Sequence, residues 1–313
     1  RLESYLFTLE AMNVARDRLA PNGVFSMYNY YREPWLVDRL ANTLQVAYAQ
    51  PPCVDVLYPA PKGLAVITTS LNQSAVDCPT PWTPLAAPVA PPATDDHPFL
   101  YLREKTIPGF YLLTMALILA ASVFLVRRVA GPFAPMKGYL DLFFMGVAFL
   151  LLETKNVVQF ALLFGTTWFV NALVFGGILL TVLAAVEVSR RVRFRRPELV
   201  YVLLIVSLAV AWLVPTAALI GLSAPIRFLA ATALAFTPVF LANIVFAERF
   251  RNTENARTAF GANLLGAMVG GLLEYSALIV GYRSLLILTA LLYGAAFLAG
   301  RRHLTASAGQ AAG

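Results

Sequence analysis

The sequence predicts a mainly α-helical, multi-pass membrane protein whose first third is a separate unit of mixed helices and strands. The composition is the first observation: 59% of the residues are hydrophobic and 13% are charged, whereas a soluble domain has about 45–50% apolar and about 25% charged residues. The second is that apolar runs of about 20 residues, enough for a helix to cross a bilayer, recur after residue 106. The net charge of +7 comes from arginines at the ends of these runs, so we expect a lipid bilayer and no nucleic acid as partner.

Residues 1–76 alternate between helical and strand patterns. The predicted order is helix, strand, helix, strand, strand, over residues 5–19, 24–30, 34–49, 54–58 and 63–69. Turn residues at 20–23 end the first helix, and Pro34 suits the first turn of the second. Three strands do not close a sheet around their own core. We therefore expect the C-terminal part of a doubly wound α/β domain, with a small α+β domain, marginal by size, as the alternative.

Three motifs accompany these elements. Residues 5–25 contain YLFTLEA followed by RLAPNGVF, residues 58–65 read YPAPKGLA, and residues 95–102 read DDHPFLYL. The first two resemble the closing part of the spermidine synthase family. The third resembles a stretch that precedes the C-terminal helices of membrane-embedded spermidine synthase-like proteins. Two stretches of the membrane part, FLLLETKNVVQFALLFGTT and ANLLGAMVGGLLEY, also resemble segments of those proteins.

This resemblance implies a class I methyltransferase-like fold for residues 1–76 and transfer of an aminopropyl or methyl group to an amine. The implied cofactor is S-adenosylmethionine or its decarboxylated form. The family residues that bind this cofactor and deprotonate the amine would precede Arg1, so the chain is expected to be an inactive C-terminal fragment that needs the upstream part of the same protein. Only Tyr58 matches a family position, as a wall of the amine pocket, and a half-buried tyrosine at a strand end is the alternative. No catalytic residue is predicted.

The two cysteines, Cys53 and Cys78, are too few for a disulfide scaffold and do not form a zinc pattern. They can form one bridge if this region lies outside the cytoplasm, or remain reduced thiols inside it. The Pro-rich residues 77–106 are predicted to be a linker. Within them the group Asp95, Asp96 and His97 is predicted to be a solvated loop, and no metal site is expected.

Residues 107–300 are predicted to form about seven transmembrane helices, and residues 301–313 a disordered tail. The predicted spans are 107–126, 140–163, 167–188, 199–219, 226–247, 260–281 and 284–300. Connections rich in arginine follow the first, third, fifth and seventh spans, and the positive-inside rule makes them cytoplasmic, in a bacterial inner membrane. Seven spans would then place residues 1–106 outside, whereas a cofactor-using transferase is expected inside. The sequence leaves this side open.

Polar side chains interrupt two of the predicted spans and form the candidate site. They are Glu153, Lys155, Asn156 and Gln159 in the second span and Asn263 and Glu274 in the sixth. Ionisable groups at membrane depth are costly and usually pair, face a bundle interior or have a function. One interpretation is a pathway for an ion, a proton or an amine such as a polyamine, with the two glutamates as acidic stations. The others are interhelical hydrogen bonds and snorkelling to the membrane surface.

Helical spacing makes the arrangement within the second span specific. Glu153, Asn156 and Gln159 follow one another at intervals of three and share an arc of about 120°. Lys155 and Gln159 are neighbours at a spacing of four, whereas Glu153 and Lys155, two apart, do not face each other. In the sixth span two glycines four residues apart predict close helix packing.

Overall fold

The computed structural model describes residues 4–31, 33–58, 63–79, 81–85, 87–165, 167–192, 194 and 196–310, without the side chains of Tyr58 and of residues 302–310. The chain divides into two compact units, Arg1–Thr106 (unit 1) and Ile107–Gly313 (unit 2). Helix accounts for 70% of the structure. The boundary lies where the apolar runs of the sequence begin.

Unit 1 has the predicted order of elements. In chain order these are α1 (Leu9–Asp17), β1 (Val24–Tyr30), α2 (Pro34–Tyr48), β2 (Cys53–Tyr58) and β3 (Leu64–Ser70). Strand β3 pairs antiparallel with both other strands, so the sheet order is β1-β3-β2. The described residues form no further strand, so the structure shows a three-stranded sheet and not a larger doubly wound one. Helix α2 covers the sheet with Leu40 and Leu44, which are fully buried together with Ile67 of β3.

The Pro-rich segment predicted as a linker is part of unit 1 and is attached to α2. The carboxylate of Asp38 accepts hydrogen bonds from the indole N–H of Trp82 at 3.0 Å and from the backbone N–H of Leu85 at 2.8 Å. The guanidinium of Arg39, which is 2% exposed, donates to four backbone carbonyls at 2.7–3.1 Å. These carbonyls belong to Pro91, Phe99, Leu100 and Leu102. Asp38 and Arg39 of α2 therefore form hydrogen bonds with backbone N–H and C=O groups of an extended segment. Within the described residues, these backbone groups are not paired in a β-sheet.

The prediction of a solvated loop at Asp95–His97 is wrong. The Thr8 hydroxyl donates to the Asp95 carboxylate at 2.7 Å, and the backbone N–H of Asp95 donates to Glu10 at 3.0 Å. The His97 ring is buried and packs edge-on against Phe99. Burial raises the pKa of the Asp95 carboxyl, while the Thr8 hydrogen bond opposes this rise. In the described part of the chain no three His, Cys, Asp or Glu residues are grouped so as to hold a metal.

Unit 2 consists of helices. They are α3 (Gly109–Ala130), α4 (Phe133–Met136), α5 (Leu140–Phe164), α6 (Trp168–Arg191), α7 (Pro197–Leu213), α8 (Thr216–Ile220), α9 (Ala224–Arg251), α10 (Ala256–Leu273), α11 (Ala277–Val280) and α12 (Ser284–Gln310). Among the described residues, six helical segments are long and apolar enough to cross a membrane, and α7, with 17 residues, is shorter. The predicted span 199–219 is divided at Pro215, whose ring and missing N–H end α7 and start α8. Helix α12 continues to Gln310, through most of the tail predicted to be disordered.

Several helices begin or end at one end of unit 2, which we call the Arg249 end. Arg249, near the end of α9, forms a buried ion pair with Asp141 at the start of α5. Arg251 donates to the carbonyl of Ser189, near the end of α6, at 2.9 Å. A Cβ atom on Gly300 of α12 would lie 3.0 Å from the Asp141 carboxylate. Helices α6 and α9 therefore end where α5 begins, and α12 passes the same point at Gly300.

The opposite end of unit 2 is called the Arg283 end. Arg283, next to the start of α12, donates to the carbonyl of Trp212 at 3.0 and 3.1 Å, and Arg227 of α9 donates to the carbonyl of Leu163 at 3.5 Å. Helices α5 and α7 thus end where α9 and α12 begin. Since the ring of Tyr201, in the first turns of α7, packs on Phe297 of α12, α7 runs from one end of the bundle to the other.

Candidate intramembrane site

The predicted polar residues of α5 lie in the middle of that helix. At 1.5 Å per residue, Glu153 is about 20 Å along the axis from Leu140 and about 17 Å from Phe164. Four consecutive polar residues, 153–156, project at intervals of about 100°, so each faces a different neighbour. The residues around this polar stretch, such as Leu151, Leu152 and Phe160, are fully buried. Their packing among the other helices fixes the position of the polar stretch within the bundle.

Lys155 is buried in this central region. Its side chain is 8% exposed, and its ammonium donates to the side-chain oxygen of Gln159, the neighbour at a spacing of four. No carboxylate of the described residues forms an ion pair with Lys155. The ammonium is therefore enclosed by the helices of unit 2, and its hydrogen-bond partner in the structure is a neutral amide. Burying a charge with only such a partner is energetically costly.

Asn156 is fully buried and connects α5 to α9. Its amide N–H donates to the carbonyl of Ala235 at 3.1 Å. Pro238, inside α9, lacks an N–H and disturbs the helix hydrogen bonds around residues 234 and 235, so a side chain of another helix can bind there. The Asn156 side-chain oxygen and the Thr232 hydroxyl, one turn earlier on α9, have no hydrogen-bond partner within the described residues. Each of these two groups could therefore form one further hydrogen bond.

The two acidic residues lie close to the same stretch of α5. The Thr154 hydroxyl donates to the Glu274 carboxylate at 2.6 Å. Glu274 begins the 3₁₀ turn that follows α10, and the next residue, Tyr275, packs against Tyr111 of α3. This carboxylate therefore lies on the Arg283 side of the centre. Glu153 is half-buried and forms no hydrogen bond or ion pair within the described part of the chain.

Asn263 is separate from this group. Its side chain donates to the carbonyl of Leu142 at 2.9 Å, near the start of α5. Around it, α5 and α10 approach closely: a Cβ atom on Gly266 would lie 2.0 Å from the Phe143 carbonyl oxygen, and one on Gly270 would lie 2.6 Å from that of Val147. The close packing predicted from the two glycines is present, and Asn263 acts in it as an interhelical hydrogen-bond donor.

The sequence analysis missed the Asp141–Arg249 ion pair. The side chains are 2% and 5% exposed, and the Arg249 guanidinium lies over the Tyr139 ring at 5.6 Å. One of its terminal nitrogens has no partner in the described structure. In the sequence, Arg249 is one of the arginines that follow the fifth predicted span, a pattern that indicates membrane orientation. A single Asp at the first turn of an apolar run, in a protein with few acids in such runs, is the signal that could have identified the pair.

In unit 1, strand β2 ends at Tyr58, and the tyrosine side chain and residues 59–62 lie outside the described residues. The predicted wall of an amine pocket is therefore not described. Cys53 and Cys78, left open by the sequence, are joined as a disulfide with Cα atoms 5.7 Å apart. A cavity of about 180 Å³ beside the bridge is lined by uncharged residues, among them Gln50, Ser70 and Gln73.

This part of unit 1 does not fit S-adenosylmethionine or its decarboxylated form. Cofactor-sized ligands usually occupy pockets of about 300–1,000 Å³, and the cavity beside the disulfide is smaller. No described turn of unit 1 joins a parallel strand to a helix through glycines, the geometry that binds nucleotide groups.

The central polar group of unit 2 contains two carboxyl groups, Glu153 and Glu274, and one ammonium, Lys155. If all three are ionised, one further positive charge is needed to balance them. A proton or a bound ammonium group can supply this charge, and the unpaired Glu153 is the position open to it.

Comparisons of the chain with protein-family models, curated proteins and solved structures gave no match.

Proposed function

We propose that this membrane protein binds a polyamine or another organic cation within the bilayer, for transport or sensing. The observation that carries the proposal is Glu153, a half-buried carboxyl in the middle of α5 that has no partner among the described residues. An unpaired charge at this depth is unfavourable, so such residues commonly mark substrate or ion pathways. A substrate ammonium bound at Glu153 would compensate the charge.

The arrangement of the neighbouring groups favours a cation with more than one ammonium. Glu274 supplies a second carboxylate next to Thr154, one residue along α5 from Glu153. A polyamine separates its ammonium groups by short apolar chains, which suits two carboxyls set in an apolar bundle. Lys155 donates to Gln159 instead.

We further propose that α7 crosses the membrane with the six longer helices, giving seven crossings. Its 17 residues span about 25 Å, near the lower limit for a transmembrane helix, and it runs between the two ends of the bundle. Basic residues are concentrated at the Arg249 end, so the positive-inside rule places that end on the cytoplasmic side. The membrane we propose is a bacterial inner membrane. Arg257, at the start of α10, donates to the carbonyl of Val129 near the end of α3, so α3 ends at the Arg249 end and begins at the Arg283 end. Residues 1–106 then emerge outside, where a disulfide persists.

The second candidate is a membrane-bound transferase that passes an aminopropyl or methyl group to an amine. The three spermidine synthase-like motifs and the order of elements in unit 1 support it. The disulfide and the proposed outward position of unit 1 count against it. Such a transferase would need the upstream part of the same protein to supply its cofactor site.

Replacing Glu153 by glutamine should weaken spermidine binding and uptake by about tenfold or more, because a hydrogen bond to a charged group is lost while size and shape are kept. Calorimetry on the full chain in detergent measures binding, and uptake of labelled spermidine into proteoliposomes measures transport. Binding without uptake would indicate a sensor.

The matched control for this experiment is Glu254→Gln, which removes an exposed glutamate at the Arg249 end and should change neither quantity. Glu274→Gln should resemble Glu153→Gln if both carboxyls contact the substrate. Wild-type uptake by the Glu153→Gln protein would contradict the proposed site.

A membrane-impermeant maleimide should label Cys53 and Cys78 in intact cells after treatment with an impermeant reductant, and should label neither before it. This result follows from an outward unit 1 with a closed disulfide. The double variant Cys53→Ser/Cys78→Ser is the background control. Labelling only after the cells are lysed would place unit 1 in the cytoplasm, and the transferase would then become the leading candidate.

A further inference from the structure

A groove runs along the outer surface of unit 2 between α7 and α12. Its volume is about 260 Å³, and it is lined by residues that include Tyr201, Val202, Val206 and Phe297. Val202 and Val206 are 57% and 51% exposed, so within a membrane this surface faces acyl chains. From Glu198 to Val206 the groove follows α7 for about 12 Å, from the Arg249 end toward the centre of the bundle.

A glycine creates the space in this groove. Gly294 of α12 lines it, and a Cβ atom added to Gly294 would meet no other atom within 4 Å. The adjacent residue, Tyr293, is 1% exposed and belongs to the packed core. The floor of the groove is therefore rigid, and its depth depends on the missing side chain.

Charged groups of both signs lie where the groove reaches the Arg249 end. Glu198 lines the groove there, is exposed, and forms no hydrogen bond or ion pair within the described part of the chain. Arg196 is exposed two residues before it, and Arg301 is exposed four residues after Phe297, on the same face of α12. The apolar groove thus ends at one carboxylate, and an exposed arginine lies within one helical turn of its lining on each of the two helices.

We propose that this groove binds one phospholipid with a primary-amine head group, such as phosphatidylethanolamine. Its acyl chain would lie along Val202, Val206 and Gly294. Its ammonium would contact Glu198, and its phosphate would lie toward Arg196 and Arg301, as phosphate pairs well with guanidinium. The site is independent of the cation site at Glu153, which lies on a different helix.

The test titrates the delipidated full chain in detergent with three lipids that share dioleoyl chains and differ in head group: ethanolamine, choline and glycerol. Native mass spectrometry counts the bound lipid. We expect the ethanolamine lipid to bind about tenfold more tightly than the other two, since they lack the primary ammonium. Gly294→Leu should abolish this binding by filling the groove, and Glu198→Gln should remove the head-group preference.

The control is Gly176→Leu on α6, where an added Cβ atom would also meet nothing within 4 Å, and it should bind lipid as the wild type does. If Gly294→Leu does not fold, Val206→Trp fills the groove from the α7 side. Equal binding of the three lipids overturns the proposal. Unchanged binding of the ethanolamine lipid by the groove-filling variant also overturns it.

Discussion

Replacing Arg249 by methionine should lower the free energy of unfolding of unit 2 by about 3–5 kcal/mol, because it leaves the Asp141 carboxylate buried without its partner. Asp141 is 2% exposed, so it cannot regain water without opening the interface between α5, α9 and α12. The expected loss is large because the penalty is the desolvation of an unpaired charge, rather than the net strength of the ion pair. Unfolding of the purified chain in mixed micelles by increasing dodecyl sulfate measures the change.

The double variant Asp141→Leu/Arg249→Met separates these two contributions. Replacing a buried ion pair by apolar residues of similar size is often neutral or stabilising, so the double variant should be markedly more stable than Arg249→Met alone. The coupling obtained from the double-mutant cycle gives the interaction itself. If the effects of Asp141→Leu and Arg249→Met simply add, the pair is not coupled, and the explanation by an unpaired carboxylate is wrong.

Arg249 also shows why the sequence did not reveal this pair. Arginines at span ends fix orientation in most membrane proteins, so Arg249 was indistinguishable from Arg251, which does pair locally with Glu248. The partner of Arg249 is 108 residues away on another helix. Periodicity reports which residues of one helix share a face, and it carries no information about which helices meet.

The local parts of the architecture were predictable for the same reason. Spacing alone gave the Lys155–Gln159 contact, and the two glycines of α10 gave the close approach to α5, since both follow from 3.6 residues per turn. The attachment of residues 77–102 to unit 1 was not predictable, because it depends on Arg39 donating to backbone carbonyls. Every residue has a backbone carbonyl, so the sequence does not indicate which carbonyls Arg39 binds. The composition of the segment predicts only that it forms no helix or strand.

Replacing Gly266 by alanine should lower the free energy of unfolding by about 3 kcal/mol, at the upper end of the range for overpacking. The new methyl group would lie 2.0 Å from the Phe143 carbonyl oxygen. Because this obstacle is backbone, α5 and α10 must move apart. Gly271→Ala is the matched control on the same helix: its Cβ atom would lie 3.0 Å from the flexible end of the Leu150 side chain, which can rotate away, so we expect a change below about 1 kcal/mol.

The same substitution tests whether helix packing positions the acidic group at the candidate site. Glu274 follows α10 directly and is bonded to Thr154 of α5 at 2.6 Å, so separating the two helices should break this hydrogen bond. Gly266→Ala should then weaken spermidine binding as well as stability. Asn263→Ala removes only an interhelical hydrogen bond, worth about 0.6–2 kcal/mol, and leaves the helices in contact, so it should lower stability and leave spermidine binding unchanged. Equal effects of the two variants on binding would show that the spacing of α5 and α10 does not position Glu274.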